Sequence, residues 1–238
     1  MKPAMARWGA APALAVAAFT SAGPVAGQNG PPVIAILPFE DRGSYGQDKE
    51  IFRALALGIA ATLASELSGH SNLRLADRNQ VAQALRGENL GPNARVDAAT
   101  AARIAKQVGA RYAITGTYAD FYGSFRLDGR IVDAETGQII RVVTNNDPGL
   151  QDRSELYRII QMVAHKMLAE VSPAALRGGA PQAELRSIPT EALTHYSLGL
   201  WYEGKGDSSR AGDHYDRALK ALPDYPEAKE GLRRVRGS

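Results

Sequence analysis

Residues 109–145, GARYAITGTYADFYGSFRLDGRIVDAETGQIIRVVTNN, constrain this chain more than any other stretch. They read as three β-strands joined by two tight turns. Residues 111–121 carry Tyr, Ile and Thr at strand density, and residues 125–132 follow directly. In that second strand Phe125, Leu127 and Ile131 share one parity, while Arg126, Asp128 and Arg130 share the other. Such alternation describes a strand with one dry and one wet face. The first turn centres on Gly123-Ser124. The second, residues 133–137, places Gly137 where a short hairpin loop needs a left-handed residue. The third strand, residues 138–144, is rich in Ile and Val. A meander with one bare apolar face does not stand alone, so other elements must cover it.

Those elements are legible on both sides. Residues 33–39, VIAILPF, form an almost continuous apolar run suited to a strand buried on both faces. The next helix, residues 49–67, aligns Ile51, Leu55, Ile59, Leu63 and Leu67. Gly58 within it costs about 1 kcal/mol relative to Ala, which suggests close approach to the sheet. Residues 73–76 make a short strand, and Asp77 with Gln80 opens a helix carrying Val81 and Leu85. Asp97 caps another, with Ile104 and Val108 inward and Gly109 after its end. Beyond the meander, Asp152 and Glu155 form a capping box for a helix bearing Leu156, Ile159, Ile160, Val163, Met167 and Val171. The order is β-α-β-α-α-β-β-β-α. The expected fold class is α/β (α+β), a mixed sheet with flanking helices over residues 32–171.

Residues 1–27 read as an export signal: Lys2 and Arg7 begin it, residues 8–19 form an apolar core, and Val25-Ala26-Gly27 precede the cut. The expected location is the periplasm, with the mature chain starting near Gln28 and no integral membrane span in it. There are 28 Lys and Arg against 25 Asp and Glu. Losing Lys2 and Arg7 leaves a net charge of +1, no electrostatic footprint for nucleic acid. Cys is absent, which excludes disulfides, thiol chemistry and a lipid-modified amino-terminal Cys.

No pattern of catalytic residues emerges. His70, His165, His195 and His214 are scattered, with no pair at metal-ligand spacing on one helix. Residues 42–47 precede a helix but match neither a Walker A loop nor a dinucleotide fingerprint. Arg126 and Arg130 flank Asp128, so charge pairing on a wet strand face explains the acids there better than acid/base catalysis. No Ser sits in a G-x-S-x-G elbow. The expectation is no enzyme, no cofactor and no metal.

Residues 172–189, rich in Pro, Gly and Ala, read as a linker. Residues 190–236 then form a helical hairpin with a capping helix. Leu198, Gly199 and Tyr202 lie on its first helix, Ala211, Tyr215 and Ala218 on its second, and Pro223 follows. This spacing resembles one tetratricopeptide (TPR) repeat, with His195 in the place of a large residue. The resemblance implies that the first helix offers an outer stripe, Leu193, Tyr196, Leu200 and Glu203, to a protein partner. The partner is an envelope or secretion component, the sheet domain of the same chain, or a second copy.

The segments IAILPFEDRG, LRLADRNQVAQAL, VDAATAARIAKQVGARYAITGTYADF and RLDGRIVDAETGQII together resemble the CsgG/HfaB curli-secretion family and the TolB amino-terminal-like domains. That resemblance implies a soluble periplasmic binding or scaffold protein assisting assembly, secretion or organisation of the bacterial cell envelope. The alternative it implies is a subunit of an outer-membrane secretion channel. Channel-forming members carry a lipidated Cys and long spanning hairpins, whereas this chain has no Cys and minimal turns.

Overall fold

The computed structural model describes residues 30–46, 48–91, 94–145, 150–173 and 186–237. The expected signal, 1–27, lies outside them, as does most of the expected linker. All elements below belong to one compact unit, Pro31–Ser238. It is a mixed α+β structure with a six-stranded sheet.

The chain enters through strand β1 (Val33–Asp41), helix α1 (Lys49–Ser68) and a two-residue strand β2 (Arg74–Leu75). Helices α2 (Arg78–Gly87) and α3 (Ala98–Gln107) follow. Each has its expected aspartate cap: Asp77 accepts from the Asn79 and Gln80 amides, and Asp97 from that of Thr100. The meander is β3 (Tyr112–Phe121), β4 (Ser124–Asp133) and β5 (Ile139–Thr144). A short β6 (Gln151–Asp152), which the sequence did not signal, precedes a 3₁₀ turn, Arg153–Glu155, and α4 (Leu156–Val171). Asp152 therefore caps the 3₁₀ turn, accepting from the Ser154 amide at 2.7 Å, and does not cap α4 directly.

Strand order is β2-β1-β3-β4-β5, with β6 beside β4. β1 runs parallel to β2 and β3, while β4 is antiparallel to β3, β5 and β6. The parity read from β4 holds: Phe125, Leu127 and Ile131 are fully buried. They join Ile34, Phe39 and Ile114 beneath α1 and α4, whose apolar stripes close that face. α2 and α3 cover Ala35, Leu37, Ala113 and Val132 on the other face. Burying each such Leu or Ile is worth about 1.5–3 kcal/mol, which is why two helical layers form.

The carboxyl-terminal helices are α5 (Thr190–Gly204), α6 (Ser208–Ala221) and α7 (Pro226–Arg236). Tyr215 on α6 fills the seam, because Gly199 and Gly231 leave room on either side. A Cβ at Gly199 would lie 2.4 Å from its ring, and one at Gly231 2.5 Å. The phenol donates to Glu203, which Arg234 also holds at 2.8 and 3.0 Å.

Gly58 marks a close approach, but to α5 and not to the sheet. A Cβ there would fall 1.7 Å from Ser197 Oγ. Gly58 therefore lets α5 lie directly on α1. Tyr202 Oη donates to Glu50 at 2.7 Å, and Arg186 pairs with Glu227 while both meet Ser65 of α1. Although α1 is long and apolar enough to cross a membrane, 61% of that apolar window is buried here as the core helix.

Candidate docking site at the open edge of the sheet

The expected binding stripe on α5 is not an exposed surface. Leu193, Tyr196 and Leu200 are 0%, 4% and 1% exposed. Tyr196 packs at a tilt between Tyr215 (6.1 Å) and Tyr225 (5.1 Å), and burial pushes its phenol up to about 12. Glu203 is occupied by Tyr215 and Arg234. The physical reason is that α5 is sandwiched, with α1 on one side and α6 on the other. Both of its apolar sides are used inside the chain.

Exposed apolar side chains gather instead along the sheet edge formed by β5, β6 and the β3–β4 hairpin tip. Tyr45, Phe121, Tyr122, Ile139, Ile140, Val142 and Leu150 are the exposed large hydrophobics among the described residues. β5 pairs only with β4, leaving its outer edge open among the described residues. Arg141 and Val143 turn toward α4: Arg141 pairs with Glu170 at 2.9 Å and Val143 is buried. Ile140 and Val142 point to the opposite, uncovered side.

The tip itself is built with care for its backbone and none for concealment. Phe121 pairs with Ser124, so Tyr122 and Gly123 are the two central residues of the turn, one position earlier than the sequence suggested. Both have positive φ, 53° and 92°. This is the two-residue turn that favours Asn-Gly, and a bulky aromatic in that region is an outlier. Tyr122 is also 85% exposed, so no buried contact compensates its conformation. Tyr45 stacks on Phe121 at 5.8 Å and on Tyr122 at 6.4 Å.

Buried and half-buried polar groups hold this triad in place. Asp120 has no exposed surface; it accepts from the Gly123 amide at 2.7 Å and from Arg153 Nη1 at 2.8 Å. The Arg153 amide donates to the Gly123 carbonyl at 2.7 Å. On the other side, Asp41 accepts from the Ser44 amide and hydroxyl at 2.9 and 2.6 Å. Ser44 Oγ in turn accepts from the Asp120 amide, and the Tyr45 amide donates to the Asp120 carbonyl at 2.7 Å. Tyr45 is thus fixed beside the tip by strand-like pairing with Phe121. In sequence these residues were a plain connection and a turn; their aromatic content was visible, but their convergence depends on the parallel β1–β3 register.

A second cluster also escaped the linear reading. His195 on α5 and His214 on α6 face each other with Nδ1 atoms 3.2 Å apart, and Tyr202 stacks on His214 at 5.4 Å. Burial, then the positive charge of Arg217, lowers the His195 pKa; burial, then His195 itself, lowers that of His214. His70 and His165 do not join them. Among the described residues, no three His, Asp or Glu side chains gather as a metal-binding group.

No family model matches the chain, and no curated protein matches it. Solved structures with some likeness include the LpoB C-terminal domain from Escherichia coli, at 20% identity and a TM-score of 0.38, covering 54% of this chain and 87% of that one. TolB from Acinetobacter baumannii is 19% identical with a TM-score of 0.34, covering 62% of this chain and 28% of that one. The PelC dodecamer from Paraburkholderia phytofirmans is 15% identical with a TM-score of 0.31, covering 60% and 87%. TM-scores this low carry no function across.

Proposed function

We propose that this chain is an exported binding protein of the bacterial cell envelope, working by protein contact and not by catalysis, with the aromatic hairpin tip as its docking surface. The observation that carries the reading is Tyr122: a bulky aromatic in a left-handed turn conformation, 85% exposed and stacked on the exposed Tyr45, which also stacks on Phe121. Conformational cost at a side chain whose one recorded ring contact is itself in solvent is found where that side chain is needed outside. Exposed Tyr and Phe on a rigid base suit a protein interface, where aromatics dominate the energy. The envelope location rests on the signal-like residues 1–27 and on the resemblance to CsgG/HfaB and TolB amino-terminal-like sequences.

The test replaces Tyr122 with a photo-crosslinking phenylalanine analogue in cells that express the chain. The same analogue at Arg103, an exposed position on α3, serves as the control. The expected result is one reproducible adduct from position 122, identified by mass spectrometry, that disappears on Tyr45→Ser. Adducts identical from both positions, or none from either, overturn the reading.

A further inference from the structure

The short strand β2 leaves a cleft that the docking tip does not use. β2 pairs only with Val33 and Ile34, so β1 from Ile36 onward has no strand neighbour on that side. Helices α1 and α2 frame the space beside it without filling it, because α1 presents small side chains there. The result is a cavity of about 270 Å³. Ile36 comes from β1, Leu57 and Ala64 from α1, Val81 and Leu85 from α2, and Leu200 from α5. Several of these are only partly buried although they lie deep between elements, since the cleft itself exposes them.

Two arginines of α2, Arg78 and Arg86, stand exposed at its rim. Neither guanidinium has a hydrogen-bond or ion-pair partner among the described residues. Arg78 acts at a distance on Glu203 and on the buried Tyr196 phenol, and the Glu203 carboxylate is already held by Arg234. They lie eight residues apart, about 12 Å along the helix, so a head group at either end of the cleft meets one of them.

We infer that this cleft binds a single-chain anionic amphiphile, its alkyl chain between α1 and α2 and its carboxylate or phosphate on Arg78 or Arg86. The lining supplies the apolar contact and the unpaired guanidiniums supply charge complementarity, the usual division of labour in a ligand pocket. The volume lies just below the usual range of such pockets, about 300–1,000 Å³, which fits one chain and not a diacyl lipid. The inference is independent of the docking tip, because no residue is shared.

Isothermal titration of the full mature chain with dodecanoate, below its micelle concentration, is the test. One saturable site is expected, with dodecanol binding about tenfold weaker and dodecyltrimethylammonium weaker still. Arg78→Gln with Arg86→Gln should weaken dodecanoate about tenfold and leave dodecanol unchanged. Ala60→Leu with Ala64→Leu, one turn apart on the α1 face of the cleft, should abolish both while the chain still melts cooperatively. If the filled variant does not fold, the arginine pair decides alone. Absence of saturable binding, equal binding of the cationic detergent, or an arginine variant that binds dodecanoate as wild type overturns the inference. Sedimentation with phosphatidylglycerol vesicles separates a free amphiphile from a membrane surface: binding to vesicles without binding to dodecanoate overturns it as well.

Discussion

The helical hairpin at the carboxyl end and the open edge of the sheet use apolar residues in opposite ways. On α5, residues Leu193, Tyr196 and Leu200 form a stripe that looks surplus to a single helix pair, yet α1 and α6 consume it. At the β3–β4 tip, Tyr45, Phe121 and Tyr122 occupy a turn and a loop, where polar residues are the norm, and remain in solvent. The contrast teaches that surplus apolarity along one helix does not identify an interface. An exposed apolar side chain held in a costly conformation is the stronger sign.

The contrast can be broken most sharply in the hairpin. Tyr215→Ala should cost about 4 kcal/mol, since it empties the seam between Gly199 and Gly231 and strips Glu203 of a donor. A fall in Tm of roughly 10 °C is expected by calorimetry. A fall of only a degree or two would mean that the hairpin contributes little to the fold and that its stripe is available after all. Gly58→Val should cost about 3 kcal/mol by driving α5 off α1. Urea melts measure it, and a two-step transition would show the hairpin separating before the sheet.

At the tip, Asp120→Ala leaves Arg153 without its buried counter-charge. The pair is half open to water on the Arg153 side, so the expected loss is roughly 2 kcal/mol, read as a lower urea midpoint. An unchanged midpoint would show that the tip is not anchored through Asp120.

Acid should act on the hairpin through His195 and His214. Both pKa values lie below the ordinary 6.5 in the folded chain, so the neutral pair is favoured by folding. Their stabilisation is complete above pH 6.5 and is lost as the pH falls below it toward the folded values. A lower Tm at pH 5.5 than at pH 7.5 is expected. His195→Phe with His214→Gln should flatten that dependence; an equally steep profile in this variant would assign it elsewhere.

The smallest effect on stability is the most telling for function. Tyr122→Asn suits the left-handed turn better and should raise stability by up to about 1 kcal/mol. If Tyr122→Asn instead destabilises the chain, the stacking with Tyr45 is structural and the comparison between the two regions loses its basis.

The sequence by itself determined the local elements. Alternation in β4, the stripes of α1 and α4, the Asp77 and Asp97 caps and the Gly137 turn depend on neighbours a few residues away, and all are found in place. The α-helical identity of residues 190–236 was equally legible from spacing. Tertiary structure decided what those elements face. Gly58 announced a close approach but could not say to what, because a missing Cβ is as useful against a helix as against a strand. The stacking of Tyr45 on Phe121 and on Tyr122 joins residues some 75 positions apart through the β1–β3 register, and the His195–His214 contact joins two helices across a turn. β6 was too short for any periodicity, and its pairing with β4 is set by the tip it flanks. Local pattern fixes which side of an element is apolar; only the assembled chain fixes whether another element arrives to cover it.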